Sequence, residues 1–255
     1  MLARHSVYIV LSALMVLGVP EFSNAVAAPG DARMVDGSYG GIQFWMHGGV
    51  ESWTGDITYR IGFPVIEASG EQYAGYFPFS ELEFPLDAIF GTIKAGAVLG
   101  GKLVVNAQVK KDITEPDDEM VDRDWTSSSY PWRLDIYSKS EVTDFNALVL
   151  DGDLSYKVLE WNTMWLAVGA GYMYQDFEYE TALLHQWSPS GLPGFDYFGD
   201  GTTTLIYEVD CAMPYLLLSG KFDILPELKI NARLAAAPWV PVSYTHLRAH
   251  ETVLE

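Results

Sequence analysis

Apolar residues recur at every second position along several stretches of the chain, which is the pattern of strands whose two faces meet different surroundings. In 145–156, large apolar side chains fill one face and acids recur on the other: Leu148, Leu150, Leu154 and Tyr156 against Asp151 and Asp153. In 164–174, one face is apolar or aromatic and the other is mostly small. After the N-terminal segment, no uncharged apolar run reaches the ~20 residues of a membrane helix. The pattern therefore predicts an all-β antiparallel fold.

Turn residues between the alternating segments divide this pattern into about seven predicted strands. They are 40–62 (with Gly48-Gly49 as the candidate break), 80–99, 102–112, 144–156, 163–178, 204–221 and 228–239. Short connections (157–163, 223–227) alternate with long ones (112–143, 178–203), as the turns and outer loops of outer-membrane barrels do. Since such barrels have even strand numbers, we expect further strands after residue 239.

Charge placement favours a transmembrane β-barrel over a soluble β-sandwich, which remains the alternative. Acids on some strands face cations on another, and we expect them to pair in a shared lumen while the apolar faces meet lipid: Asp151, Asp153, Glu208 and Asp210 against Lys229 and Arg233. Aromatic residues also gather at strand ends, where the two interfacial girdles of a barrel lie.

The composition restricts the partners of this chain. Its 255 residues carry a formal net charge of -19, which argues against nucleic acid, because phosphate binding needs basic patches. Basic peptides or divalent cations are a better electrostatic match. The single cysteine, Cys211, excludes an intramolecular disulfide.

The two ends of the sequence are read separately from the barrel. Residues 1–27 resemble a signal peptide, with a basic start, a short apolar run and Ala25-Val26-Ala27 as cleavage signal. Residues 242–255 resemble a translated sequencing adapter. His246 and His250 lie in this segment, so we do not interpret them as a zinc site. We therefore expect a barrel domain at 28–241 that is truncated at its C-terminus and inactive in this form.

The candidate chemistry lies in a polar loop, Met120–Trp125, that follows the acidic segment Glu115–Glu119. Asp122 and Asp124 form an Asp-x-Asp pair beside Trp125, and such a pair is able to position a water or hold a cation. The plainer interpretation is a pair of solvated loop acids. The acids of 117–119 are interpreted as a solvated, acidic outer rim and not as a calcium site, because their spacing is not that of an EF-hand loop.

Several motifs resemble those of the omptin family of outer-membrane endopeptidases. They are Ser80-Glu-Leu-Glu-Phe84, Met120-Val-Asp-Arg-Asp-Trp125 with Ser128-Ser129 and Pro131, Ala212-Met-Pro-Tyr215 with Ser219-Gly220, and Trp239-Val240. Their order and spacing cover about residues 80–240. The loop motif is the most specific of the four.

This resemblance implies a ten-stranded barrel in the outer membrane of a Gram-negative bacterium, with an active-site groove facing the exterior. Asp122 and Asp124 would form one wall as catalytic residues. An Asp-x-His pair on the other wall would lie shortly after Val240, with the His acting as general base on a water. The expected substrates are peptides or proteins cleaved near basic residues. No cofactor is expected, although lipopolysaccharide is a partner on which omptin activity depends.

A noncatalytic omptin-like porin or structural barrel, of the Protochlamydia type, is the second hypothesis. The segment 134–144 departs from the enzymes and fits this group equally well. Asp135 and Ser138 therefore receive little weight as site residues, and His185 is interpreted as a surface residue on the wrong wall for the family His. Trp125 is expected to pack at the groove wall.

Overall fold

The computed structural model describes residues 21–22, 32–66, 72–127, 130, 132–225, 228–238 and 242–247. Its regular elements are strands: β1 (Glu21–Phe22), β2 (Ala32–Tyr39), β3 (Ile42–Ser52), β4 (Asp56–Ile66), β5 (Gln72–Pro85), β6 (Ile89–Leu99), β7 (Leu103–Asp112), β8 (Met120–Asp124), β9 (Ile136–Trp161), β10 (Met164–Trp187), β11 (Tyr197–Phe198), β12 (Thr203–Leu225), β13 (Leu228–Ala236) and β14 (Val242–Leu247).

All of these strands pair antiparallel in one sheet, which confirms the predicted fold class. The sheet has a lower part, the end that contains β1, β2 and β13, and an upper part at the other end of the long strands β9, β10 and β12. The lower part has the order β1-β13-β12-β10-β9-β7-β6-β3-β2. In the upper part, β4, β5 and β8 continue the sheet beside β9, and β14 pairs with β12. Between the described strands, no pairing joins β2 to β13 into a closed ring. No helix in the described part of the chain is long and apolar enough to cross a membrane.

The predicted strand positions are correct, but several predicted bounds are wrong. The break in the first long strand lies at 53–55 and not at Gly48-Gly49, and the second is interrupted at 86–88. The strand at 32–39 was not predicted. β9 and β10 extend to Ile136 and Trp187, and β8 divides the first long loop, so the loops that remain are 113–119, 125–135 and 188–202. The predicted signal segment lies outside the described residues except for 21–22.

The outward face of the lower sheet is an apolar band. Large side chains that share a register row across three strands are all exposed there, as shown by Tyr156, Val168 and Leu218. Along β9 the band extends from about Leu148 to Leu159, which is ~28 Å for a strand tilted by about 40°. This height matches the apolar band of outer-membrane barrels, ~25 Å. The outward face is thus suited to lipid.

The inward face of the same strands carries paired charges. Arg233 donates to Asp151 at 3.3 Å and to Asp153 at 3.0 Å, and both carboxylates are buried. Asn106 donates to Asp153, and Tyr215 donates to Asp151. The predicted lumenal pairing is confirmed for Arg233, whereas the side chain of Lys229 lies outside the described set.

Glu208 and Asp210, predicted to face the lumen, lie on the opposite face. Tyr207 and Val209, which alternate with them along β12, are 1% and 3% exposed and point into the core. The reason is that strands rise above the apolar band, where the outer surface meets water. Glu208 pairs in register with Glu178, so this outer surface is acidic. The inside therefore becomes the apolar side at this level.

An aromatic layer fills the inside of the sheet between the charged level and the upper rim. Its rings pack at centroid distances such as 4.3 Å between Phe84 and Tyr207, 4.8 Å between Phe145 and Tyr179 and 4.5 Å between Trp53 and Phe90. We define the layer as Trp53, Tyr59, Phe84, Phe90, Phe145, Phe177, Tyr179 and Tyr207.

Candidate functional site

The Asp-x-Asp pair lies on a strand and not in a loop. β8 pairs with β5 at Leu82↔Asp122 and Ser80↔Asp124, and with β9 at Asp122↔Ser138. Because alternate residues of a strand share a face, Asp122 and Asp124 point the same way, with Cα atoms ~6.6 Å apart. A water is able to contact both carboxylates at that separation.

The two carboxylates face inward, above the aromatic layer. They share the face of Leu82 and Met120, which are 4% and 2% exposed and belong to the apolar core. On the inner face of β9, Ser138 and Ser140 lie at the level of the pair. Below them the inward side chains from Val142 to Val149 are apolar, and the buried acids of the lumen begin at Asp151. The pair therefore stands at the top of a filled interior.

Two buried serines lie on the strands beside the pair. Ser80 Oγ donates to Asp122 Oδ1 at 3.3 Å, and Ser80 and Ser138 are both buried beside β8. From the sequence, Ser80 was identified only as part of an omptin-like motif, and Ser138 was not favoured as a site residue. Their position on neighbouring strands, 42 residues away for Ser80, gives no local signal in the sequence.

Arg123, between the two acids, points to the outer surface. It donates to Glu81 at 3.0 Å and to Glu83 at 2.8 Å, and its guanidinium lies over the Tyr137 ring. These contacts hold the outer face of β8 against β5 and β9. The ion pairs are partly solvated, so each contributes little to stability on its own.

Asp135 is fully buried just before β9, and it ties the end of β8 in place. Its carboxylate accepts hydrogen bonds from the Thr126 amide (3.0 Å), the Thr126 hydroxyl (2.8 Å) and Arg133 Nε (2.8 Å). Desolvation by burial raises the pKa of Asp135, but hydrogen bonds from Ser190 and Thr126 and the charge of Arg133 outweigh it and lower the pKa to about 2. Its amide donates to the Asp124 carbonyl at 2.9 Å. The sequence did not predict this structural role of Asp135.

The segment 115–119 forms an acidic cavity of about 480 Å³ at the rim, lined also by Glu141, Val142 and Leu184. Most of its acids are exposed, as predicted for a solvated rim, and Lys139 pairs with Glu119. In the described residues, no group of three or more His, Cys, Asp or Glu side chains comes together as a metal site.

The described residues do not include the side chains predicted for the wall opposite Asp122 and Asp124. Positions 239–241 lie outside the described residues, and β14 is described only by its backbone pairing with β12. Three strands, β9, β10 and β12, separate β8 from β14 in the order of the sheet. Trp125 is half-buried beside the pair.

His185 lies on the outer surface, as expected. Its Nε2 is 3.0 Å from Asp196 Oδ1, and its ring stacks on Phe198 at 4.2 Å. It pairs in register with Lys139, which is on the outward face of β9, and so does not face Asp122.

Comparison with known proteins now adds to this geometry. The sequence model of the Omptin family matches residues 91–247, well over half of the chain. The chain belongs to the omptin family. This omptin is also similar in structure to the outer membrane protease OmpT from Escherichia coli, with a TM-score of 0.64 and 18% identity. The alignment covers 82% of this chain and 69% of OmpT. None of the curated proteins matches.

The family match includes β8 with Asp122 and Asp124, and the OmpT likeness supports the barrel architecture at the level of the fold. The match begins at Gly91, so the Ser80–Phe84 motif rests on the geometry of this omptin alone.

Proposed function

We propose that this omptin is an outer-membrane endopeptidase in which Asp122 and Asp124 form one wall of the active-site groove. The observation that carries the proposal is the placement of both carboxylates on the inward face of β8, at the rim and above a closed apolar interior. Water reaches the pair from the rim. The aromatic layer separates the pair from the charged lumen below.

The chemistry would be attack of an activated water on a peptide carbonyl. Asp122 and Asp124 position that water, and a His oriented by an Asp, expected after position 240 in the natural protein, removes its proton. Two adjacent carboxylates repel each other when both are ionised, so sharing one proton stabilises the pair. That proton would then help to form the tetrahedral intermediate. No covalent enzyme intermediate is required.

Peptides with basic residues are the proposed substrates. The net charge of -19 and the acidic cavity at 115–119 raise the local concentration of cationic chains near the rim. In this proposal the lower strands lie in the Gram-negative outer membrane, which the apolar band supports, and the rim faces outward with lipopolysaccharide around it. No cofactor takes part in this scheme.

The alternative of an omptin-like porin is disfavoured by the interior. A diffusion pore needs a water-filled lumen, whereas rings such as Phe84, Tyr179 and Tyr207 are at most 1% exposed and pack together inside the sheet. A structural barrel without activity would also have this filled interior, so the experiment has to measure cleavage.

The test uses the protein with its natural C-terminal part, folded in lipopolysaccharide, and a fluorogenic dibasic peptide. Asp122→Asn should reduce kcat by at least ~100-fold, because it removes one of the two carboxylates that position the reacting water and share the proton. The matched control is Asp118→Asn, an exposed rim acid, which should leave kcat within twofold. Cleavage by Asp122→Asn at the wild-type rate would refute the role of the pair, and no cleavage by the wild type would favour the structural barrel.

A further inference from the structure

The tip of the β10–β12 hairpin, residues 188–202, is joined to the segment that follows β8. Ser188 Oγ donates to the Asp135 carbonyl at 2.6 Å and accepts from the Leu192 amide at 2.8 Å. Ser190 Oγ lies 3.2 Å from Ser188 Oγ. The hairpin tip is therefore folded around the hydroxyl that binds Asp135.

Asp135 carries this contact to the Asp pair. Its amide binds the carbonyl of Asp124, and its carboxylate binds both the amide and the hydroxyl of Thr126, two residues farther on. One fully buried residue thus holds the last residue of β8 and the start of the loop. The chain separation of 53 residues between Ser188 and Asp135 makes this a tertiary connection.

We propose that the hairpin tip fixes the position of Asp122 and Asp124 through Asp135, with Ser188 and Asp135 as positioning residues. The inference rests on the proposed hydrolysis, because a position matters only if the pair does chemistry. β8 has five residues and is paired with β5 and β9 up to Asp124, and the bond from the Asp135 amide is the next hydrogen bond beyond that pairing. The ends of short strands are the places that open first, so this added bond limits local opening at Asp124. A catalytic group has to stay within ~0.5 Å of its working position, so an untied end lowers the rate.

The physical connection is tested by hydrogen exchange on the natural full-length protein in lipopolysaccharide. Ser188→Ala should accelerate exchange of the Asp135 and Thr126 amides by about 5- to 10-fold, the effect of one lost hydrogen bond on local opening. The control is Thr202→Ala, which removes a hydroxyl that binds Asp200 in the same hairpin and leaves Asp135 untouched. Unchanged exchange in Ser188→Ala, or equal acceleration in both variants, would overturn the inference whether or not the protein cleaves peptides.

The catalytic consequence is tested with the dibasic peptide. Ser188→Ala should lower kcat by about 10-fold with little change in KM, and Ser188→Thr, which keeps the hydroxyl, should recover most of the rate. Faster exchange with an unchanged kcat would show that the tie is only structural and would refute the positioning role. If the wild type cleaves nothing, the proposed function fails, while the exchange result still decides whether the tip holds the end of β8.

Discussion

The buried carboxylate of Asp135 should make the rim sensitive to acid. Its pKa lies at about 2, below the ordinary value of 3.8. A carboxylate whose pKa is lower in the folded state stabilises the protein above its unfolded pKa, and this stability is lost as the pH falls through the folded value. The full difference corresponds to ~2.4 kcal/mol. Because Arg133 and Thr126, which cover the carboxylate, are themselves exposed, screening reduces the expected loss to about 1 to 2 kcal/mol between pH 4 and pH 2.

Urea unfolding in lipid vesicles, followed by tryptophan fluorescence, would measure this loss as a difference between wild type and Asp135→Asn. The wild type should be the more stable protein at pH 5, and the gap should narrow by about 1 to 2 kcal/mol at pH 2. Glu115→Gln, a change at an exposed rim acid, serves as the control and should show no such narrowing beyond ~0.5 kcal/mol. A gap that stays constant, or widens, from pH 5 to pH 2 would refute the assignment of Asp135 as an ionised, hydrogen-bonded anchor.

Three further changes probe the membrane-spanning part, each by urea unfolding in vesicles. Arg233→Leu leaves two buried carboxylates without their cation, so we expect a loss of ~2–4 kcal/mol; a neutral result would contradict the lumenal ion pairs. Gly171→Ala would place a Cβ 2.2 Å from the Tyr215 ring and should cost ~1–3 kcal/mol by displacing it, whereas no effect would mean that the ring lies elsewhere. Leu154→Arg, within the apolar band, should cost ~2–4 kcal/mol, while Glu178→Arg above the band should cost little; equal costs would contradict the placement of the band.

In the lower sheet, the alternation of apolar and polar residues correctly predicted which face of the strand at 145–156 points outward. Leu150, Leu154 and Tyr156 are exposed and Asp151 and Asp153 are buried, as the alternation predicted. This worked because the two environments there, lipid and a polar lumen, differ strongly and persist over many residues. A pattern of period two needs that length to be recognised.

The same period was misleading higher on the strands, because alternation identifies two faces but not which face is inside. At Glu208 and Asp210 the apolar neighbours are the inward ones, the reverse of the arrangement in the bilayer. The level at which a strand leaves the lipid is set by its register with other strands. A single sequence contains no direct record of that register.

The candidate site was predicted through its motif and not through its structure. Asp122 and Asp124 were predicted as site residues from the motif, but the strand that carries them was not predicted, since it has only five residues and is held by partners far along the chain. Asp135 stands alone in an irregular segment, where no periodicity marks it. Its importance comes from burial and from Ser188, and neither is visible before the chain folds.

The long strands rise above the apolar band, and this sets the distance between the Asp pair and the membrane. Asp122 lies level with Gln186, through Ser138, and Asp176 marks the upper edge of the apolar band on β10. Ten strand positions with a tilt of about 40° amount to ~25 Å. The Asp pair is therefore carried on a stalk of solvated sheet, and the number of residues in the stalk sets its height. Removing two residues from each long strand would lower the stalk by ~5 Å and leave the lipid-facing surface unchanged. In the proposed function, such shortened variants would measure how the rate of peptide cleavage depends on the height of the Asp pair above the membrane.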